Sequence, residues 1–135
     1  MARRVSQNQM SCVLDASAII ALALGERGGG VVAALAKGAL MSAVNMSEFL
    51  QRMADRNVPH DDAAEQLARF EIDIVAFQHH HAIQAAAYRP LTRHLGLSLG
   101  DRACLALARE RQSTILTADR RMAEANVGLD IRMIR

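Results

Sequence analysis

The sequence predicts an α/β fold: a single domain with a mostly parallel central sheet of about five strands and helices on both faces. Three observations predict it. Short apolar runs alternate with helix-period stretches along the whole 135-residue chain, the pattern of strand–helix–strand units rather than of a bundle or a sandwich. The runs mostly lack the polar alternation of a one-sided sheet, so their strands are expected to be buried on both faces. Acids stand where apolar runs give way to helices, at the edge where open α/β sheets bind ligands.

The first run, Ser11-Cys12-Val13-Leu14, ends in Asp15 and turns helical at once. An apolar helix over residues 17–24 is broken by the stretch 25–30, whose glycines Gly28, Gly29 and Gly30 neither follow a strand nor lead into a Lys-Ser/Thr pair. They read as a connector, not a phosphate loop. Residues 31–37 form a short helix closed by Gly38, and residues 39–43 a second strand. A helix beginning near Asn45 carries Glu48, Phe49, Leu50 and Met53 and fades by Pro59. Asp61 or Asp62 caps the next, with Ala63, Leu67 and Phe70 on its apolar face. Residues 72–77 alternate as a third strand; a helix over 78–88 stops at Pro90, and 92–96 make a short helical turn or a loop. Ser98 caps the most apolar helix of the chain, which is expected to be central. Residues 113–117 are the fourth strand, 119–126 a helix and 129–134 the closing strand.

At this length one core buries roughly two-thirds of the unfolded surface, which suits one domain over residues 11–135. Residues 1–10 are basic and polar without an apolar core and read as a flexible tail, not a secretory signal. No apolar run approaches the roughly 18 residues of a membrane span. Cys12 and Cys104 lie in apolar segments with no partner spacing, as buried reduced thiols of a cytoplasmic protein would. Net charge is +2, with Lys37 the single lysine; the arginine skew suits phosphate contact, and a codon bias gives the same skew. Phe49, Phe70, Phe77 and Tyr88 are the only aromatics, too few for a base-stacking platform.

Asp15, Glu48, Asp101 and Asp119 each fall in the expected first turn of a helix. Each has an ordinary explanation: Asn45-x-x-Glu48 and Ser98-x-x-Asp101 resemble capping boxes, and Asp15 and Asp119 suit N-caps. Gathered at one sheet edge, however, they would repel by roughly 4 kcal/mol per pair at 4 Å, which capping does not offset. A divalent cation does. Carboxylate oxygens completed by water suit Mg²⁺, or Mn²⁺ in its place, rather than zinc. Ser17 and Thr117, each two residues from a ring acid, are placed to hold a water or a carboxylate; locally, their hydroxyls also suit backbone bonds.

Val13-Leu14-Asp15-Ala16-Ser17, Asn45-x-x-Glu48, Leu97-Ser98-Leu99-Gly100-Asp101-Arg102-Ala103 and Leu116-Thr117-Ala118-Asp119 resemble the four signature segments of PIN domains, and of the VapC toxins in particular. The resemblance spans residue 11 to the end. It implies a sheet order of 3-2-1-4-5 and a Mg²⁺-dependent endoribonuclease, the toxin half of a type II toxin–antitoxin pair. Asp15, Glu48, Asp101 and Asp119 would form its acidic ring, holding the metal with Thr117 assisting. The ring's cation would activate water for in-line attack on RNA, leaving 3′-hydroxyl and 5′-phosphate ends. Because the acids repel RNA, flanking positive charge is required, and Arg102, Arg120 and Arg121 are the candidates, with ordinary helix-surface charge as their alternative role.

The resemblance further implies a VapB-like antitoxin, whose helix would lie in a groove beside Met46, Leu50, Met53 and the helix over 17–24, and a homodimer through the region 78–96. Heterotetramers or larger assemblies with the antitoxin follow from that. His79, His80 and His81 are unusual for the family. Consecutive residues diverge around a helix, so all three do not face one metal, and solvent exposure or RNA contact is the favoured reading. Two other classes compete. A haloacid-dehalogenase-like phosphatase needs a second acid where Ser17 stands, and it and a receiver-type phosphoacceptor both need a later lysine that is absent. A PIN-fold interaction module with weak catalysis keeps the fold and partner without turnover; the presence of all four acids argues against it.

Overall fold

Strands β1 (Cys12–Leu14), β2 (Leu40–Ser42), β3 (Asp73–Val75), β4 (Thr114–Thr117) and β5 (Ile131–Met133) form one parallel sheet in the order β3-β2-β1-β4-β5. The structure is a computed structural model and describes residues 11–135; the expected tail over 1–10 lies outside the described residues. β1 is central, and its register, Val13 beside Leu40 and Ile115, leaves Val13 and Leu14 with no exposed surface. Alternation along the strands separates two cores. Cys12, Leu14, Met41 and Leu116 pack with α1 (Ala16–Leu24), α2 (Gly29–Leu35), α3 (Ala43–Asp55) and α4 (His60–Arg69). Val13, Leu40 and Ile115 pack with α7 (Leu99–Arg111), with Tyr88 beyond α5 (His79–Ala87) and with Met122 of α8 (Arg120–Ala123). The short α6 (Arg89–Thr92) and a 3-10 turn (Arg93–Leu95) link α5 to α7.

The expected elements form, with instructive shifts. Gly29 and Gly30 lie inside α2 rather than in a connector: a Cβ at Gly29 would stand 2.5 Å from the Ala21 carbonyl, so the missing side chain lets α2 close onto α1. α3 begins at Ala43 under a Ser42 cap, two residues before the expected start, which moves Glu48 from the first helical turn to the second and removes the capping role of Asn45. Neither Asp61 nor Asp62 caps α4; both sit in its first turn behind Pro59, where acids favour the helix dipole. The helix after Asp119 shrinks to one turn. Ser98 and Asp101 form the expected capping box, and α7 is buried from Ala103 to Ala108. Cys12 and Cys104 are both free and buried. Among the described residues no single helix is long and apolar enough to cross a membrane.

Candidate metal centre

A parallel sheet points every strand's carboxyl end to one edge, and there the chain opens a cleft of about 420 Å³ lined by Asp15, Glu48, Asp101 and Asp119 together. A larger depression of about 890 Å³ lies at the opposite edge, among Lys37, Asp73, Arg111 and Ser113, and contains none of the four acids.

Asp15 leaves β1 as the N-cap of α1, 3% exposed. Its Oδ1 accepts from the Ala18 N–H at 2.9 Å and the Ser17 hydroxyl at 2.7 Å, and its Oδ2 accepts from the Thr117 hydroxyl. Thr117 Oγ1 in turn accepts the Asp119 N–H at 2.9 Å, and Ser17 Oγ accepts the Ala118 N–H at 2.8 Å. The two hydroxyls therefore lace the ends of β1 and β4 together and orient Asp15. Burial pushes the Asp15 carboxyl up to about 6 against those hydrogen bonds, and the charge of Asp101 adds to the rise.

Glu48 reaches the cleft from the second turn of α3. Its Oε1 accepts from Asn45 Nδ2 at 2.9 Å, and the same Nδ2 donates to the Gly100 carbonyl at 3.0 Å, tying α3 to α7. Partial burial raises its carboxyl above the usual range, with Asp101 again contributing. Asp101 stands in the first turn of α7, where Oδ2 accepts the Ser98 N–H at 2.8 Å. Asp119 caps α8; burial pushes its carboxyl up, but hydrogen bonds and charge from Arg121 outweigh that and hold it below the ordinary value. Cys104 lies one helical turn beyond Asp101, and burial together with the charges of Asp15, Asp101 and Glu48 pushes its thiol well up, so it stays protonated. The donor set facing the cleft is thus carboxylate and hydroxyl oxygen, with no neutral imidazole or thiolate among the lining residues. Such a set fits Mg²⁺ or Mn²⁺ and not a zinc centre.

Of the candidate arginines, Arg121 lines the cleft and pairs with Asp119. Arg102 does not line it: its Nη1 donates to the Ala85 carbonyl at 3.1 Å, tying α7 to the end of α5. Arg120 is exposed and is not among the lining residues. Arg52, which sequence reading passed over, lines the cleft in their place with Gln51 and Asp55. Its signal was the four-residue spacing from Glu48 on one helix face.

His80 and His81 both meet Glu110 at the far end of α7 and, with it, bring one potential ligand atom each within 4.8 Å of the others. The hydrogen bonds assign them another role. His81 Nδ1 accepts the Gln78 N–H at 3.0 Å, so its proton sits on Nε2 and is donated to Glu110 Oε1 at 3.1 Å. A metal at that nitrogen would need the lone pair the proton occupies. The three side chains are a tie between α5 and α7, nine residues and roughly 14 Å along α7 from Asp101.

The PIN domain family model matches residues 12–128. No curated protein matches the chain in sequence. Among solved structures, a toxin–antitoxin complex from Klebsiella pneumoniae superposes with a TM-score of 0.70 at 18% identity, covering 93% of this chain and 98% of that one. The DNA-bound VapBC of Salmonella typhimurium gives 0.68 at 14% identity, with 93% and 99% covered. VapC20 of Mycobacterium tuberculosis, a toxin that cleaves the sarcin-ricin loop, gives 0.69 at 17% identity, with 86% and 95% covered. With its family segments lying on the strand ends and helix starts that build one acidic cleft, the chain belongs to the PIN-domain family.

Proposed function

We propose that this protein is a Mg²⁺-dependent endoribonuclease of the VapC type, the toxin of a type II toxin–antitoxin pair. The observation that carries the reading is the convergence of four carboxylates from β1, α3, α7 and the end of β4 on one open cleft at the sheet's carboxyl edge. Asp15, Glu48, Asp101 and Asp119 would hold the cation, which when bound supplies charge neutralisation and activation of a water for attack on phosphorus. The chain's own contribution is positional. Ser17 and Thr117 fix the Asp15 carboxylate through its two oxygens, Asn45 fixes Glu48, and Ser98 fixes Asp101. Arg52 and Arg121 supply positive charge at the rim, where an RNA strand approaches the acids.

The partners belong to the same proposal. A groove of about 360 Å³ between α1 and α3, lined by Ile20, Leu24, Met53, Arg52 and Arg56, adjoins the cleft and shares Ser17, Arg52 and Asp55 with it. It supports an antitoxin segment seated beside the cleft, although Met46 and Leu50 pack against the core and Met53 is buried. Ile83, Leu91 and Leu99, each more than half exposed, support a homodimer through α5, α6 and the start of α7. Ala85, by contrast, is buried and unavailable to such a contact.

The test is to incubate the purified chain with total RNA and map new 5′ ends. Ends bearing 5′-phosphate that need Mg²⁺ and vanish with EDTA or in an Asp101→Asn variant are expected. Cleavage that persists in EDTA, or none at all with Mg²⁺ and Mn²⁺, overturns the proposal.

A further inference from the structure

Of the four ring acids, Asp119 alone is ion-paired among the described residues. Arg121 Nη2 lies 3.0 Å from its Oδ2 and Nε 3.4 Å from its Oδ1, and Oδ1 also accepts the Arg121 backbone N–H at 2.9 Å. The remaining arm, Nη1, reaches 3.5 Å from the Gly96 carbonyl. Gly96 also lines the cleft, so the side chain extends along its rim from α8 toward the turn before α7. The other three acids are held differently. Asp15 takes hydroxyls and one amide, Glu48 a carboxamide and Asp101 a backbone N–H. Neutral donors orient a carboxylate while leaving its charge for a cation; a guanidinium orients it and cancels the charge.

We propose that Arg121 is a positioning residue that holds Asp119 by ion pairing until a divalent cation takes that carboxylate, so that cation entry and guanidinium release are coupled. The proposal rests on the reading of the cleft as a cation site. Arg121 is 56% exposed, so its hold on Asp119 is screened and yields to a divalent ion. The cost to the entering ion is a factor of about two to five in affinity, the size of an exposed pair. Linkage is reciprocal: whatever affinity the pair removes from the cation, the bound cation removes from the pair. The freed guanidinium then stands at the rim, where an RNA phosphate is the next available anion.

The intact protein, its Arg121→Met variant and its Arg121→Lys variant are compared for Mn²⁺ binding by calorimetry and electron paramagnetic resonance, without RNA. In parallel, the Arg121 Nε–H resonance of the wild type is followed by ¹⁵N NMR during Mg²⁺ addition. The expected result is about two- to fivefold tighter Mn²⁺ binding in Arg121→Met, an intermediate value in Arg121→Lys, and an Nε–H shift whose midpoint coincides with Mg²⁺ binding. Equal or weaker Mn²⁺ affinity in Arg121→Met, or an Nε–H resonance unmoved at saturation, overturns the proposal and leaves Arg121 a structural link to Gly96. A wild type that binds neither ion overturns the cation site itself, a distinct failure that the variant comparison does not mimic.

Discussion

The carboxylate of Glu48 fills the space that a side chain at position 100 would take: a Cβ on Gly100 would lie 2.2 Å from Oε2 and 2.4 Å from Cδ. α3 and α7 approach this closely because residue 100 is glycine, and the same approach lets one Asn45 nitrogen reach both Glu48 and the Gly100 carbonyl. The acidic ring is therefore completed by contact between two helices and is not a product of the sheet edge alone.

Gly100→Ala should evict Glu48 while leaving the domain folded. Gly100 lies in the first turn, so alanine gains less than the roughly 0.5–1 kcal/mol of a helix interior, which offsets a small part of a steric cost of about 1–3 kcal/mol. The expected variant melts within a few degrees of wild type and binds Mn²⁺ at least about tenfold more weakly, a loss of about 1.4 kcal/mol. Calorimetric titration beside thermal melts separates the two effects, and wild-type affinity in the variant would show that Glu48 does not hold the cation.

Asn45 tests the clamp from the other side. It has no exposed surface, and its Nδ2 serves two acceptors. Removing the amide in Asn45→Ala should cost about 1–3 kcal/mol, the range for leaving buried acceptors without a partner. Asn45→Asp should cost more at pH 8, because it sets a second carboxylate against Glu48, and the excess should shrink toward pH 5 as the pair takes up a proton. Urea denaturation of both variants at the two pH values measures this; an Asp variant as stable as the Ala variant at pH 8 would contradict the contact.

Much of this architecture was legible in the residues. Apolar runs ending in Asp15 and Thr117, the Ser98–Asp101 box and the family segments located four strand ends or helix starts, and a parallel sheet has one carboxyl edge to offer them. Asn45 was misread for a physical reason. A polar residue three positions before an acid looks like a cap, but Ser42 takes that place and buries Asn45 inside the helix. Of the two roles open to Arg102, neither cleft charge nor plain surface charge describes its contact: adjacency in sequence to Asp101 places it about 100° around the helix, on α5. Gly100 stands in a family segment, but its packing role is not legible there, since it lies in what occupies the missing side chain's space.

Glu110 should matter to stability and not to the cleft. Hydrogen bonds from His81 and His80 outweigh its slight burial and lower its carboxyl to about 2 from an ordinary 4.5. A depressed folded value means that the stabilisation is complete above the unfolded value and is lost as pH falls from about 4.5 toward 2. The group is largely exposed, so screening keeps the contribution under about 1 kcal/mol. Glu110→Gln is expected to lower the melting temperature by a few degrees at pH 7, to converge on wild type at low pH, and to bind Mn²⁺ as wild type does. A loss of Mn²⁺ affinity in this variant would place a cation at the histidine pair instead.

Asp15 separates capping from cation binding, because asparagine keeps the acceptor for the Ala18 N–H and the Ser17 hydroxyl while it removes the charge and turns the oxygen that accepts from Thr117 into an amide donor. Burial pushes the native carboxyl up to about 6 from 3.8. Between those values the folded state binds the proton that the unfolded state has released, so this group makes stability fall as pH rises; above about 6 the whole penalty, about 3 kcal/mol, is in force. Asp15→Asn escapes it. In EDTA the variant should therefore be the more stable protein at pH 7.5, by up to about 3 kcal/mol less a few tenths for the lost helix-dipole attraction and about 1 kcal/mol for the lost Thr117 hydrogen bond, and this advantage should disappear by pH 4. Mg²⁺ should reverse the order at pH 7.5, since mass action stabilises the protein that binds it, while RNA cleavage by the variant falls at least about a hundredfold. Urea melts at pH 4, 5.5 and 7.5, each with EDTA and with Mg²⁺, measure every part of this. A variant that draws the wild-type stabilisation from Mg²⁺ and cleaves RNA at the wild-type rate would reduce Asp15 to a helix cap and remove the centre of the proposed site.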